Sequence, residues 1–273
     1  MKNMKARSLL ISILTLLFAL AAACSRGASG TQVVVAGSTS VQPFADRWAE
    51  VFMQKHPRLV INVQGGGSSA GIQAAKSGAA DIGTSSRELK SDEKDLHQIV
   101  VARDGLAVIV HPSLPLTNLS LLQVKSIFAG EINNWRPLTG QDRPIDVVTR
   151  EEGSGTRGAF QEMVMGKKTR ITRYAIVEDS NGTVREIVSN DPYAIGYISL
   201  GLVNARVKAL SLDGVTAAEE AIVRGEYRLV RPFLFLTKGL PAGPVRDFID
   251  FVLSAEGQAL IQKEGLIPVK EGR

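Results

Sequence analysis

Short β-branched runs that end in turns of glycine and hydroxyl residues and pass into helical patterns recur along the chain, and this unit limits the possible folds more than any other feature. Gln32 to Ala36 reads as a strand, Gly37-Ser38-Thr39-Ser40 as its turn, and Val41, Phe44, Trp48, Val51 and Phe52 share one face of the helix that follows. Pro43 falls in that helix's first turn, where its missing N–H is no loss. Leu59 to Gln64, Gly65 to Ser69 and Ala70 to Lys76 repeat the plan, and a third strand follows at Asp81-Ile82-Gly83. Farther on, Asp146 to Thr149 reads as a strand, and Gly153-Ser154-Gly155-Thr156 opens a helix carrying Phe160, Met163 and Val164. Units of this kind build an α/β protein with a largely parallel sheet, and they set their turns at strand C-termini and helix N-termini.

Gly105 to Val110 reads as a buried strand, and Pro112 and Pro115 mark a boundary after it. Leu121 to Phe128 and Val184 to Val188 fit helices, and Ile195 to Ile198 a strand. Leu229 to Leu236 fits a strand interrupted by Pro232, and Pro244 to Glu264 reads as one terminal helix with Val245, Phe248, Ile249, Val252, Leu260 and Ile261 on a face. A chain of 273 residues has room for two lobes. Re-entry at Pro232 would make the first lobe discontinuous, residues 31–112 plus 232–273, around a second lobe of residues 113–231.

The N-terminus carries its own message. Lys2, Lys5 and Arg7 precede an uncharged apolar run from Leu9 to Ala23, shorter than the roughly 20 residues that span a bilayer. Residues 1–23 therefore read as a cleaved signal peptide, and residues 24–30 as a small-residue tether. The single cysteine, Cys24, directly follows Ala21-Ala22-Ala23, which looks like a bacterial lipobox with Ala21 in place of its usual leucine; lipidation at Cys24 is expected, ordinary cleavage nearby being the alternative. Cleavage removes three positive charges and lowers the formal charge from +5 to about +2, so a polyanion-binding surface loses its support. One cysteine and three scattered histidines (His56, His97, His111) speak against disulfide scaffolds and metal clusters.

Three turns remain as candidate chemistry: Gly37 to Ser40, Gly65 to Ser69, and Arg150 to Thr156. Each offers hydroxyl donors and free helix-start N–H groups, which suit an anion. Each alone also suits ordinary helix capping. Arg150 supplies a cation whose fork can grip an oxyanion with two parallel bonds, or else pairs with Glu151 or Glu152. Gly67-Ser68-Ser69-Ala70-Gly71 fits the hydrolase nucleophile pattern with Ser69 central, but no histidine follows position 111 to complete a triad. Gly65-x-Gly67-x-x-Ala70 matches a dinucleotide fingerprint only as three glycines in a row easily do. Trp48 and Trp135 read as core, and Lys167, Lys168 and Arg170 as a solvated helix end.

Taken together, Ala36 to Ser40, Gly67 to Gly71, Ala80 to Arg87 and Arg150 to Thr156 resemble, in content and order, the phosphate-binding proteins of bacterial ABC-type phosphate importers. Ile127 to Trp135 is a further family-like segment with a structural character. The resemblance spans the mature chain and implies a two-lobed periplasmic-binding fold of type II with the anion between lobes. It implies ligand donors at Ser38, Thr39, Ser40, Ser68 and Ser86, opposed by Arg150, Ser154, Gly155 and Thr156. It also implies a monomer with no catalytic role, no cofactor and no nucleic acid, lipid-anchored outside the cytoplasm, whose partners are inorganic phosphate and the importer's permease and ATPase subunits. Sulfate, molybdate and tungstate are the rival ligands, because relatives often carry an aspartate, acceptor for a phosphate proton, where this chain has Ser86.

Overall fold

The structure is a computed structural model that describes residues 31–269, so the expected signal peptide, Cys24 and the expected tether lie outside the described residues. The first half of the sheet is built from β1 (Thr31–Gly37), β2 (Leu59–Gln64) and β3 (Ile82–Ser85), with β1 central and parallel to both neighbours. Helices α1 (Gln42–Lys55) and α2 (Ser68–Ser77) make the crossovers, as the alternating pattern predicts. Gly37 allows this close assembly: its φ is 141°, and a Cβ there would lie 2.4 Å from the Thr84 carbonyl oxygen and 2.8 Å from the Gly71 Cα. A side chain would push strand and helix apart.

The second half holds β6 (Asp146–Arg150), parallel to both β7 (Ile176–Glu178) and β8 (Ala194–Ser199). Helices α5 (Gly155–Phe160), continuing into a wider turn through Met165, and α6 (Asn181–Asn190) lie between these strands in sequence; α3 (Leu121–Ala129) and α4 (Arg136–Thr139) precede them. The halves are joined by β4 (His97–Val110) and the returning β11 (Val230–Thr237); β9 (Lys208–Ala209) also pairs with β4, β5 (Asn118–Leu119) and β10 (Ser211–Leu212) pair apart from the main sheet, and the short helix α7 (Glu219–Val223) precedes β11. β4 is much longer than the Gly105 to Val110 run, because its first half alternates with exposed and charged residues and hides its strand signal. It pairs with β11 as far as Gly105 and with β8 from Leu106 onward. The chain thus changes halves near Gly105, before the Pro112 boundary, and returns near Val230.

Period-two alternation along these strands feeds separate cores on the two faces. Leu106, Val108 and Val110 enter a cluster with Phe128, Trp135, Phe160 and Tyr197, while Ala107 and Ile109 pack with Val148, Val184 and Val188. In the other half Phe233 and Phe235 join Trp48, Phe44 and Phe248, whereas Leu234 and Leu236 join Ile72 and Leu96. Both tryptophans are core, and Lys167, Lys168 and Arg170 are exposed, as expected. This is a two-lobed α/β fold with a discontinuous first lobe.

Pro232 is tolerated because β3 pairs with β11 only from Leu234 onward, so one edge of β11 has no ladder partner at the proline. The terminal helix is two helices, α8 (Gly243–Leu253) and α9 (Ala255–Gln262), a correction to the single run. Ser254 breaks it: its backbone turns extended, with ψ at 161°, and its hydroxyl accepts the Gly257 N–H at 3.2 Å as an N-cap. Among the described residues no helix is long and apolar enough to cross a membrane.

Candidate functional site

The parallel strands β1, β2, β3, β6 and β7 deliver their C-terminal ends to one place, where the two lobes face each other. Open α/β sheets present ligands to their strands' carboxyl ends, so topology alone selects this location. The candidate residues Ser38, Thr39, Ser40, Ser68, Ser86, Arg150, Ser154, Gly155 and Thr156 come together here. Ser38, Ser40, Ser68, Ser86, Arg150, Ser154 and Thr156 are all buried, and Thr39 is half-buried.

Hydroxyls link the turns of the first lobe. Ser38 Oγ donates to Ser86 Oγ at 2.9 Å, and the Ser86 N–H donates to Ser68 Oγ at 3.1 Å. Other bonds run between lobes: Ser40 Oγ meets Thr156 Oγ1 at 2.8 Å, Arg150 Nη2 donates to Thr39 Oγ1 at 3.1 Å, and the Ser69 N–H donates to the Gly153 carbonyl at 3.1 Å. Gly155 allows this approach, since a Cβ on it would lie 2.1 Å from Ser68 Oγ and 2.6 Å from Ser86 Oγ. The Ser154 hydroxyl is occupied as N-cap, accepting the Arg157 N–H at 3.2 Å.

Arg150 is 1% exposed. Its Nε and Nη2 donate to Glu151, the carboxylate pairing that was the alternative for this arginine, and the same atoms reach the carbonyls of Glu178 and Asp179. Its Nη1 is buried with no hydrogen-bond partner among the described residues. A buried guanidinium nitrogen without an acceptor carries a full desolvation penalty, which an incoming oxyanion would remove.

The sequence reading singled out one cation, Arg150, and the structure sets a second buried arginine beside the same hydroxyls. Arg231 on β11 is 3% exposed, donates from Nε to Asp104 Oδ2 at 2.9 Å and from Nη2 to Ser40 Oγ at 3.2 Å. Asp104 on β4 also accepts from Ser199 Oγ at 2.7 Å, and Asn181 Nδ2 donates to Ser40 Oγ at 2.8 Å. Burial pushes the Asp104 carboxyl up and the Arg231 guanidinium down, and the contact between them opposes both shifts. The available signal was Arg231 as the one charge in an otherwise apolar strand; Asp104 follows the exposed Arg103 and carried none.

Two neighbours of the motifs point elsewhere. Asp81, the carboxylate at the start of the Asp81-Ile82-Gly83 run, is exposed and accepts the Val34 N–H at 2.8 Å, away from the hydroxyls. Arg87 forks onto Glu93 at 2.7 and 2.9 Å, and its Nη2 lies 3.4 Å from Ser69 Oγ. The Arg87 bond holds the Glu93 carboxyl at about 2, below its ordinary 4.5. A depressed folded value means the stabilisation is complete above pH 4.5 and is lost as pH falls toward 2. Acid unfolding should therefore show a loss of roughly 3 kcal/mol across that window. Glu93→Gln should remove that pH dependence; an unchanged acid profile would contradict the assignment.

Comparison with known proteins agrees with this geometry. Residues 23–256 match the family described as PBP superfamily domain. The phosphate-binding protein PstS of Bacillus subtilis is 34% identical over 254 residues, covering 89% of this chain and 82% of that protein. A crystal structure with bound phosphate, described as a phosphate ABC transporter substrate-binding protein from Clostridium perfringens, is 43% identical with a TM-score of 0.85, covering 88% of this chain and 100% of that one. An ABC-type phosphate transport receptor from Vibrio cholerae is 37% identical with a TM-score of 0.73, again covering 88% and 100%. The chain belongs to the PBP superfamily and, within it, to the family of the PstS phosphate-binding proteins.

Proposed function

We propose that this chain is an extracytoplasmic receptor that clasps inorganic phosphate between its lobes and delivers it to the permease of an ABC importer, whose ATPase subunits drive uptake. The observation that carries the reading is the buried Arg150 with an unpaired Nη1 beside hydroxyls from both lobes. A desolvated oxyanion must replace its water contacts, and charge-assisted bonds of about 1.5–3 kcal/mol each do so in number. Ser38, Thr39, Ser40, Ser68 and Ser86 donate from the first lobe. Arg150, Ser154, Gly155 and Thr156 close from the second, the backbone N–H groups at the start of α5 included. The names of the relatives favour phosphate over sulfate, molybdate or tungstate. No covalent step is required: Ser69 is bonded to Arg87 rather than to a base. Native mass spectrometry of the purified protein should find one co-purifying phosphate. Sulfate or a metal oxyanion in its place would transfer the reading to that ligand, and ester hydrolysis lost in Ser69→Ala would replace it.

Selectivity turns on Ser86. Phosphate at neutral pH carries a proton that needs an acceptor, whereas sulfate carries none, and a carboxylate in the site accepts the one and repels the other. With Asp81 turned away, Glu151 is the carboxylate at hand, although Arg150 engages both of its oxygens. Ser86→Asp should raise the preference for phosphate over sulfate by about tenfold in competition titrations. A parent that already ignores excess sulfate, with no change in Ser86→Asp, would assign proton acceptance to Glu151.

Attachment to the membrane is proposed to run through a lipid on Cys24. Cys24→Ser should then move the protein from the membrane fraction to the soluble one. Continued membrane retention would demand another anchor.

A further inference from the structure

We propose that Arg231 is a second anion-binding cation of this site, presented from the crossing strands and held in place by Asp104; this rests on the oxyanion reading above. Arg231 and Asp104 lie directly opposite each other on β11 and β4, next to Gly105 and Leu106, where β4 exchanges one neighbour for the other. The guanidinium is fixed on two sides. Nε and Nη2 both contact Asp104 Oδ2, at 2.9 and 2.8 Å, and Nη2 also donates to Ser40 Oγ at 3.2 Å. Ser40 is the hydroxyl that Thr156 and Asn181 meet from the second lobe, so Arg231 reaches the same donor cluster as Arg150. Its Nη1 is buried and has no partner among the described residues.

A purely structural ion pair explains this arrangement poorly. Strand pairing between β4 and β11 does not require the charges, and a buried pair is at best near break-even against apolar residues of similar volume. Such a pair would also be expected to satisfy its donors. Instead the carboxylate spends Oδ1 on Ser199 and leaves one guanidinium nitrogen unpaired. The positive charge of Arg150 is felt at Arg231 and disfavours its ionised form. Two buried guanidinium groups that both reach the Thr39–Ser40 hydroxyls, each with one unpaired nitrogen, are relieved by a single anion accepting from both. The consequence is a ligand requirement: two such donors favour a compact tetrahedral oxyanion bearing negative charge on several oxygens over a monovalent ion.

The test uses inorganic phosphate and three variants. Arg231→Gln should weaken phosphate binding about 30-fold or more by calorimetry, and Arg231→Lys, which retains a cation, should recover a large part of that loss. Because Arg231→Gln leaves Asp104 buried and unpaired and can unfold the chain, the pair Asp104→Asn with Arg231→Gln removes both charges together. That double variant should show the same loss of affinity. Parent-like affinity in the folded double variant, with only a lowered melting temperature, would reduce Arg231 to a structural residue and overturn the proposal while phosphate binding stands. Equal weakening by Arg231→Lys and Arg231→Gln would overturn it as well. A parent protein that binds no phosphate, sulfate, molybdate or tungstate would overturn the oxyanion reading and this inference with it.

Discussion

Arg150→Ala lowers phosphate affinity by about two to three orders of magnitude while the protein still folds. The expected size follows from what is removed: a fully buried cation, already oriented by Thr39, Glu178 and Asp179, with one nitrogen free to donate. Truncating one partner of a buried, hydrogen-bonded charge pair costs about 2–5 kcal/mol, and the bound anion would be that partner. The fold survives because Glu151, the one carboxylate paired with Arg150, keeps 32% of its side chain exposed and can turn to water. The loss of the bonds to the Glu178 and Asp179 carbonyls should cost stability of about 1–2 kcal/mol in the absence of ligand. Equal calorimetric affinity in mutant and parent would remove Arg150 from the site.

Gly155→Ala should also weaken binding strongly, by a different route. The added methyl would overlap Ser68 Oγ and Ser86 Oγ, and lie 3.0 Å from Ser68 Cβ. The two hydroxyls can rotate away only by leaving the positions from which they would donate, and otherwise the lobes must separate. Overpacking of this kind costs about 1–3 kcal/mol, which is roughly thirtyfold in affinity at its centre. Solution scattering distinguishes the routes. If the lobes are held apart, the radius of gyration stays at its ligand-free value when phosphate is added to the mutant and falls in the parent. If only the hydroxyls move, both contract and the affinity alone drops. Parent-like affinity would mean that the second lobe's turn does not approach the Ser68 and Ser86 hydroxyls when ligand is bound.

The contrast between the donor turns and the crossing strands shows what could be read before the structure. Ser38 to Ser40, Ser68 and Arg150 to Thr156 announce themselves because glycine and hydroxyl residues cluster where a strand hands over to a helix, and local chemistry marks the place. Ser86, at the end of β3, was recognisable only through the family likeness. Arg231 and Asp104 escape a local reading because each is a charged residue within a strand, and nothing local says that they face each other across a sheet. That pairing depends on a separation of 127 residues. Strand β4 was shortened for a related reason: from His97 to Val100 its side chains alternate between half-buried and exposed, and only the stretch entering both cores reads as apolar. The break at Ser254 was missed because the helices on either side keep compatible apolar spacing, and a capping serine inside a periodic run is easily read through.

Titration of residues 24–273 with inorganic phosphate by isothermal calorimetry tests the central claim most directly. The buried arginines and hydroxyls between the lobes predict saturable binding of one phosphate per chain, abolished or greatly weakened by Arg150→Ala and little affected by an equal concentration of chloride. Absence of any heat of binding, in a sample first unfolded, dialysed free of anion and refolded, would contradict it.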